Sequence, residues 1–365
     1  MRYRRSPHLA CHWSEEGLVI QDWAGGRSTL APPFTVTLLD ALSEWRSPRA
    51  LAALFTGAGE KVLARALAAL QRRGLVEREG ARAQPKRAAA LAGWRSWSPA
   101  AALLHFSTKD ADYAEHGQGE RDLVRRARAD PPPPAAKRAP RGRLLALPAP
   151  LPGALPSVLC ERRTWRRFAR APLEKAHLAT LLRLTFGVQG WMDLPGLGPA
   201  ALKTSPSGGA RHSIEAYLLA RRVEGLAPGL CHYDAVAHGL EPVSGRRGAP
   251  AVSRYLPRQP WFADAPAVVF MAAVFPRVQW RYGHPRAYRV VLAEAGHLCQ
   301  TFLLLATWLG LAPFCTMALA DTRIEEDLGL DGIGESVLYA AGVGKRPRGA
   351  LSGQAPVRRR GGGAS

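Results

Sequence analysis

Between Asp130 and Pro156 the chain reads DPPPPAAKRAPRGRLLALPAPLPGALP. Each proline fixes φ and removes a backbone donor, so this tract favours extended polyproline conformation and cannot hold a helix. It therefore marks a domain boundary or a strap over a surface. The 365 residues accommodate two domains, or one large domain with an appendage, arranged around it.

Ahead of the tract, Gly17 to Ile20 and Ser28 to Leu30 suit short strands about a Gly25-Gly26 turn. Phe34, Leu38, Leu39, Leu42 and Trp45 recur at helical spacing. Ser47-Pro48 supplies an N-cap with proline at the first helical position. A third helix follows, with Val62, Leu63, Ala66, Leu67 and Leu70 on one face and Gly74 past its end. LVEREG closes the pattern as a strand with a turn. Residues 1–85 thus outline a winged-helix-like domain, expected to bind peptide beside its small sheet, to bind DNA, or to be structural. Residues 86–156 form a connector holding the proline-rich linker, and 349–365 a disordered basic tail.

From Ser157 the chain reads as one α+β domain. Helices are predicted at Glu174 to Phe186, from Tyr288 to Leu311, and around Ile324 to Leu328. Strands are predicted at Glu215 to Val223, Gly229 to His232, Ala265 to Val274 and Ser336 to Val343. The apolar run Thr301 to Cys315 reads as a buried core helix, too short for a membrane span. No secretory signal is visible in MRYRRSPHLACHWSEEG, so a cytoplasmic location and no membrane partner are expected.

The formal charge of +21 raises nucleic acid as a partner. Residues 1–90, however, carry 14 basic and 8 acidic side chains, and the remaining surplus is spread along the chain. A bias of arginine over lysine beside abundant alanine also arises from a GC-rich genome, so charge argues only weakly for nucleic acid. Five cysteines (Cys11, Cys160, Cys231, Cys299 and Cys315) form no CxxC pair and match no zinc-ligand spacing, so no metal site is expected.

Three clusters carry chemistry. Glu161 to Phe168 (ERRTWRRF) places four arginines and a hydroxyl together, a phosphate clamp or a solvated basic face. Thr204 to His212 (TSPSGGARH) is a tight loop whose backbone can approach a flat ligand, or an ordinary turn. Trp280 to Arg289 (WRYGHPRAYR) crowds Tyr, His and Arg at the entrance to an apolar helix, where proton transfer can be arranged. A GxGxxG after a strand, a P-loop, HExxH and GxSxG are all absent.

The order of these motifs resembles the nitroreductase superfamily, and within it the SagB-type (McbC-like) dehydrogenases of ribosomal peptide maturation. The resemblance rests on Arg162, Arg163, Thr164, Arg166 and Phe168, on PSGGA at Pro206 to Ala210, and on PGLCHYD at Pro228 to Asp234. It continues through WRYGHPRAYR and EAGHLCQ to LGLDG, Glu335, Leu338-Tyr339 and Gly342 to Gly344. It covers residues 157–348 and implies a nitroreductase-like fold, a mixed sheet with flanking helices in an interlocked homodimer. It also implies FMN, with Arg162, Arg163, Thr164, Arg166 and Lys345 or Arg348 toward phosphate and ribityl. Pro206, Ser207, Gly208 and Gly209 would lie against the isoalloxazine, and Leu311 to Thr316, including Pro313, near its other edge. In azoline-oxidising members a hydride equivalent passes to FMN while a base takes the proton, and dioxygen reoxidises the flavin. The partners implied are a precursor peptide and a cyclodehydratase.

One departure concerns the proton. The family's Lys-Tyr pair falls on Arg281-Tyr282, with His284-Pro285 adding a residue before Arg286. Arginine holds its proton where a desolvated lysine releases one. Tyr282 beside the Arg281 cation, or His284, then takes the role of base; otherwise the reaction differs, or Arg281 only orients a substrate carbonyl. Two further functions stay open: a nitroreductase- or ene-reductase-like enzyme using NAD(P)H, and a DNA-binding or scaffold protein with a degenerate flavin fold.

Overall fold

The computed structural model describes residues 1–81, 85–115, 117–134, 148–243 and 248–349. The expected basic tail, apart from Gly349, and the middle of the proline tract lie outside them. Two units divide the chain: residues 1–109 with 279–289, and residues 110–278 with 290 onward.

In the first unit β1 (Tyr3–Arg5) precedes an antiparallel meander of β2 (Leu9–Ser14), β3 (Gly17–Asp22) and β4 (Arg27–Leu30). At the β3–β4 turn, Asp22 accepts from the Gly25 N–H and pairs with Arg27 at 3.2 Å, while Gly26 takes φ +64. Three helices follow: α1 (Phe34–Asp40), α2 (Pro48–Leu54) and α3 (Glu60–Arg72). Ser47 caps α2 as expected, its hydroxyl accepting from the Ala50 N–H at 3.1 Å. Leu63, Leu67 and Leu70 form the buried stripe of α3, packed with Leu18, Ile20, Leu39, Leu42 and Leu51. Burial stabilises each leucine by about 1.5–3 kcal/mol. Val62, expected on that stripe, is instead 57% exposed, one position round the helix from Leu63. The closing strand β5 (Val76–Arg78), expected as a strand with a turn, pairs with β1.

The first unit extends beyond the boundary expected at residue 85. After α4 (Pro85–Gly93), Trp94 and Trp97 are fully buried. They pack on His105 from α5 (Ala100–Ser107) and on Tyr288, and the Trp97 indole donates to the Tyr282 carbonyl at 2.8 Å. Burial of such large aromatic surfaces ties this part of the connector to the unit.

The second unit begins with α6 (Gln118–Ala129), α7 (Ala154–Glu161) and α8 (Lys175–Phe186), then a hairpin of β6 (Gly190–Leu194) and β7 (Gly198–Leu202). Next come β8 (Ile214–Ala220), β9 (Gly229–Asp234), β10 (Gly239–Pro242) and β11 (Ala267–Val274). The chain continues through α9 (Phe275–Gln279), α10 (Ala287–Trp308), β12 (Leu311–Thr316), α11 (Asp321–Leu328) and β13 (Glu335–Lys345). The main sheet runs β10-β9-β8-β11-β13-β12. Where a mixed sheet was expected, its pairings are antiparallel, and the one parallel contact among the described residues is an isolated bridge between Leu173 and Val223.

Strand β11 is central and buried along almost its whole length, as its unbroken apolar run AVVFMAAV requires. Phe262 stacks on Phe314 at 3.8 Å between centroids, and Phe168 and Tyr255 complete an aromatic layer beside the sheet. Gly342 leaves room for that layer: a Cβ there would fall 2.2 Å from the Phe314 ring. Gly344 does the same for Phe168, at 2.9 Å.

The run Thr301 to Cys315 is not one helix. α10 stops at Trp308, Gly310 adopts φ +71, and the chain resumes as β12, an edge strand that tolerates Pro313. α10 itself has 22 residues and is long and apolar enough to cross a membrane, but half of its most apolar stretch is buried inside the protein.

Candidate functional site

The glycine loop at 204–212 owes its shape to α10. Glu294 is buried on that helix and accepts from the Ser207 hydroxyl (2.8 Å), the Ser213 hydroxyl (3.0 Å) and the Ile214 N–H (3.3 Å). The Ser207 hydroxyl in turn accepts from the His212 N–H at 2.9 Å. One and two turns along the same helix, His297 meets the Pro206 carbonyl and Thr301 meets the Ser205 hydroxyl. Three polar groups on one face of an apolar helix therefore hold both ends of the loop. Inside it Gly209 has φ +61, and Ala210 and His212 share the left-handed region at +54 and +42. That conformation costs a non-glycine residue on the order of 1 kcal/mol, and the anchors sustain it. The Ser207 hydroxyl is committed to Glu294, so the expected contact there falls to backbone.

The arginine segment is also fixed by backbone. The Trp165 N–H donates to the Pro313 carbonyl and the Ala169 N–H to the Lys345 carbonyl, both at 2.9 Å, so residues 165–169 run beside the ends of β12 and β13. Trp165 and Phe168 turn inward, whereas Arg166 and Arg167 are exposed. Arg163 donates to the Cys160 and Arg162 carbonyls. Arg162, Arg166 and Arg167 have no carboxylate within ion-pair distance among the described residues, which leaves cationic charge suited to a phosphate. Thr164 lies half-buried between them. Lys345, by contrast, is paired with Glu174 at 3.1 Å, and Arg348 is exposed at the end of the described chain.

Sequence reasoning missed the side chains between these two parts. Cys299 on α10 hydrogen-bonds to Cys315 on β12, and the Tyr339 hydroxyl donates to the Cys315 sulfur at 3.5 Å. The Cys299 bond lowers the Cys315 thiol to about 6, against the effect of burial, and Tyr339 and the nearby Arg162 cation assist. As the donor, and buried, Cys299 is pushed up. Glu294 was missed too, although a lone carboxylate inside an apolar helical run is itself a signal of a partnered buried charge. Around the other end of the loop, burial lowers both Lys203 and His212.

Arg281, Tyr282 and His284 belong to the first unit, whereas every candidate cofactor residue belongs to the second. The Arg281 guanidinium lies 5.7 Å from the Tyr282 ring centroid, and the Tyr282 and His284 rings are 6.2 Å apart. Arg281 and His284 are exposed and Tyr282 is half-buried.

An arginine segment fastened to β12 and β13 and a strained glycine loop fastened to α10 make the second unit an α+β protein suited to a flat, phosphorylated ligand. Residues 159–345 match the nitroreductase family, and the chain belongs to it. It is 31% identical over 174 residues to the nitroreductase-type protein MJ1384 of Methanocaldococcus jannaschii, covering 48% of this chain and 83% of that protein. It is 32% identical over 143 residues to the trifolitoxin-processing protein TfxB of Rhizobium leguminosarum bv. trifolii, 38% of each chain. It therefore spans well under half of that relative. Among solved structures, a chain of the E. coli microcin synthetase McbBCD complex with truncated pro-MccB17 bound is 18% identical, with 65% of this chain and 89% of that chain covered at a TM-score of 0.46.

Proposed function

We propose that the protein is an FMN-dependent dehydrogenase of the SagB type that matures a ribosomal peptide by oxidising azoline rings to azoles. The observation that carries the flavin part is the un-neutralised arginine segment on the same scaffold as the anchored glycine loop. Similarity to the trifolitoxin-processing protein supports the peptide part. Arg162, Arg163, Thr164 and Arg166 would hold the phosphate and ribityl, with Arg348 the freer of the two C-terminal cations. The backbone of Pro206, Ser207, Gly208 and Gly209 would meet the ring face, with Pro313 a rigid edge. When bound, FMN supplies the acceptor for the hydride equivalent that leaves the azoline carbon.

The chain's own residues manage the proton that leaves with it. Tyr282 or His284 receives that proton, and Arg281, permanently charged, steadies the negative charge that develops. A precursor peptide is the substrate, a cyclodehydratase is the partner that makes the azoline, and the working unit is a homodimer. The Arg281 substitution favours one second reading, a reductase of another substrate fed by NAD(P)H.

The first test is the visible spectrum of the purified protein and the identity of its released chromophore. Yellow protein releasing FMN, lost in Arg162→Ala/Arg166→Ala, is the expected result; colourless protein that FMN cannot reconstitute refutes it. Turnover in flavin-loaded Tyr282→Phe, His284→Gln and Arg281→Ala should fall by about 10²–10⁴ in at least one variant. Full turnover in all three removes these residues from the reaction.

A further inference from the structure

The side of α10 turned away from the glycine loop carries chemistry that the proposed reaction does not use. Glu294, His297 and Thr301 hold the loop from one side of the helix. Cys299 lies between the last two in sequence but about 200° round the helix from His297, because each residue advances it by about 100°. There it meets Cys315 of β12. Cys315 stands opposite Ala341 in the β12–β13 ladder, and Tyr339, two residues before Ala341, shares that face of the sheet. Phe314 takes the other face, in the aromatic layer. The alternation of one strand thus sends a ring into the core and a thiol toward the helix.

Two idle core thiols would both sit in apolar surroundings, which raise a thiol and leave it inert. This pair is polarised instead. Cys299 is buried and donates to Cys315, which is only partly buried and also accepts from the Tyr339 hydroxyl at 3.5 Å. The Cys299 bond, then Tyr339 and the Arg162 cation, hold the Cys315 thiol down at about 6 against the effect of burial. At neutral pH Cys315 is therefore mostly thiolate, while Cys299 keeps its proton. Among the described residues no group of three His, Cys, Asp or Glu side chains could hold a metal, so this thiolate is not accounted for as a ligand.

We infer that Cys315 and Cys299 form a peroxide-reactive dithiol, with the partly exposed Cys315 as the attacking sulfur and the buried Cys299 as the resolving one. The thiolate attacks one oxygen of hydrogen peroxide. An S–O bond forms, the O–O bond breaks, and hydroxide leaves and takes a proton from solvent to become water. The Cys299 sulfur then attacks the Cys315 sulfenic acid. The S–S bond forms, the S–O bond breaks, and the Cys299 proton leaves with the hydroxyl as a second water. Two thiols are oxidised by two electrons, and one peroxide is reduced to two waters. The disulfide would join α10, which holds the glycine loop, to β12, which holds the arginine segment through the Pro313 carbonyl. It would also remove the negative charge beside Arg162. That the peroxide arises when dioxygen reoxidises a flavin in the same unit rests on the proposed function; the dithiol chemistry does not.

The test is thiol counting on the full chain after brief exposure to hydrogen peroxide at neutral pH, by alkylation, intact mass and peptide mapping. Of the five cysteines, two should be lost to alkylation. A peptide pair joined through Cys299 and Cys315, lighter by two hydrogens, should appear and should vanish with dithiothreitol. Cys11 and Cys160, which are exposed, serve as internal controls and should stay alkylatable. Cys315→Ser should abolish the bridge, and Cys299→Ser should leave a sulfenic acid at Cys315 that dimedone captures. In untreated protein the alkylation rate of Cys315 should rise through a midpoint near 6, and Tyr339→Phe should move that midpoint upward. Five alkylatable thiols after peroxide, oxidation confined to Cys11 and Cys160, or a Cys315 midpoint in the ordinary thiol range of about 8.5 would overturn the inference. All three are read in the unaltered protein, whether or not a variant folds. Protein that cannot be loaded with FMN yet forms the bridge fails the flavin proposal alone; flavin-loaded protein that keeps all five thiols fails this one alone.

Discussion

A single carboxylate on α10 decides the conformation of the glycine loop. Replacing Glu294 with alanine leaves two hydroxyls and one N–H without their acceptor, a loss of about 1–3 kcal/mol. The urea midpoint of Glu294→Ala should fall accordingly and its bound flavin should be lost; an unchanged midpoint would mean that the loop holds itself. A second polar pair gives a pH signature. The hydrogen bond to Glu215 raises His232, so its contribution is fully present below the ordinary histidine value of 6.5 and is lost as pH rises through the raised one. Burial pushes Glu215 up, but His232 and Arg277 together hold it lower, so its contribution is present above 4.5 and is lost only as pH falls through the lowered value. His232→Gln should therefore destabilise most between pH 4.5 and 6.5 and progressively less in alkali, read from urea midpoints at stepped pH. The motifs were readable from sequence, EAGHLCQ and Leu338-Tyr339 among them, but the roles of Glu294, Cys315 and Tyr339 were not, because those come from partners up to 87 positions away.

At the scale of elements, packing of β12 against β13 depends on the absence of a side chain at Gly342. Gly342→Ala should cost about 1–3 kcal/mol by overpacking against Phe314, and Phe314→Leu in the same chain should recover part of it. Additive losses would show that the two do not compete for space. Helix α2 was legible from Ser47-Pro48 because a cap is a local interaction, and β11 from an apolar run of strand length. Strand β12 was not, since TFLLLATWLGLAPFC suits a buried helix or a buried strand equally until Gly310 turns the chain. The first strand of the meander, β2, was missed because its residues are largely exposed and carry no alternation.

At the scale of the whole molecule, the hairpin β6–β7 exposes Trp191, Met192, Leu197 and Leu202, apolar surface of the kind that a partner chain covers. Light scattering of the flavin-loaded protein should give twice the 39.4 kDa chain mass, and a monomer mass would refute the homodimer. The sequence by itself determined which segments could become helices and strands, that a proline tract divides the chain, and that arginine and glycine-loop motifs stand in nitroreductase order. The first two follow from local sterics and periodicity, and the third from the resemblance of its motifs to the family. Only the tertiary structure decided that Trp94 and Trp97 join the first unit, that β5 pairs with β1, and that α10 carries the anchors of the loop. Those outcomes depend on burial and on hydrogen bonds between residues far apart in the chain, which no local pattern encodes.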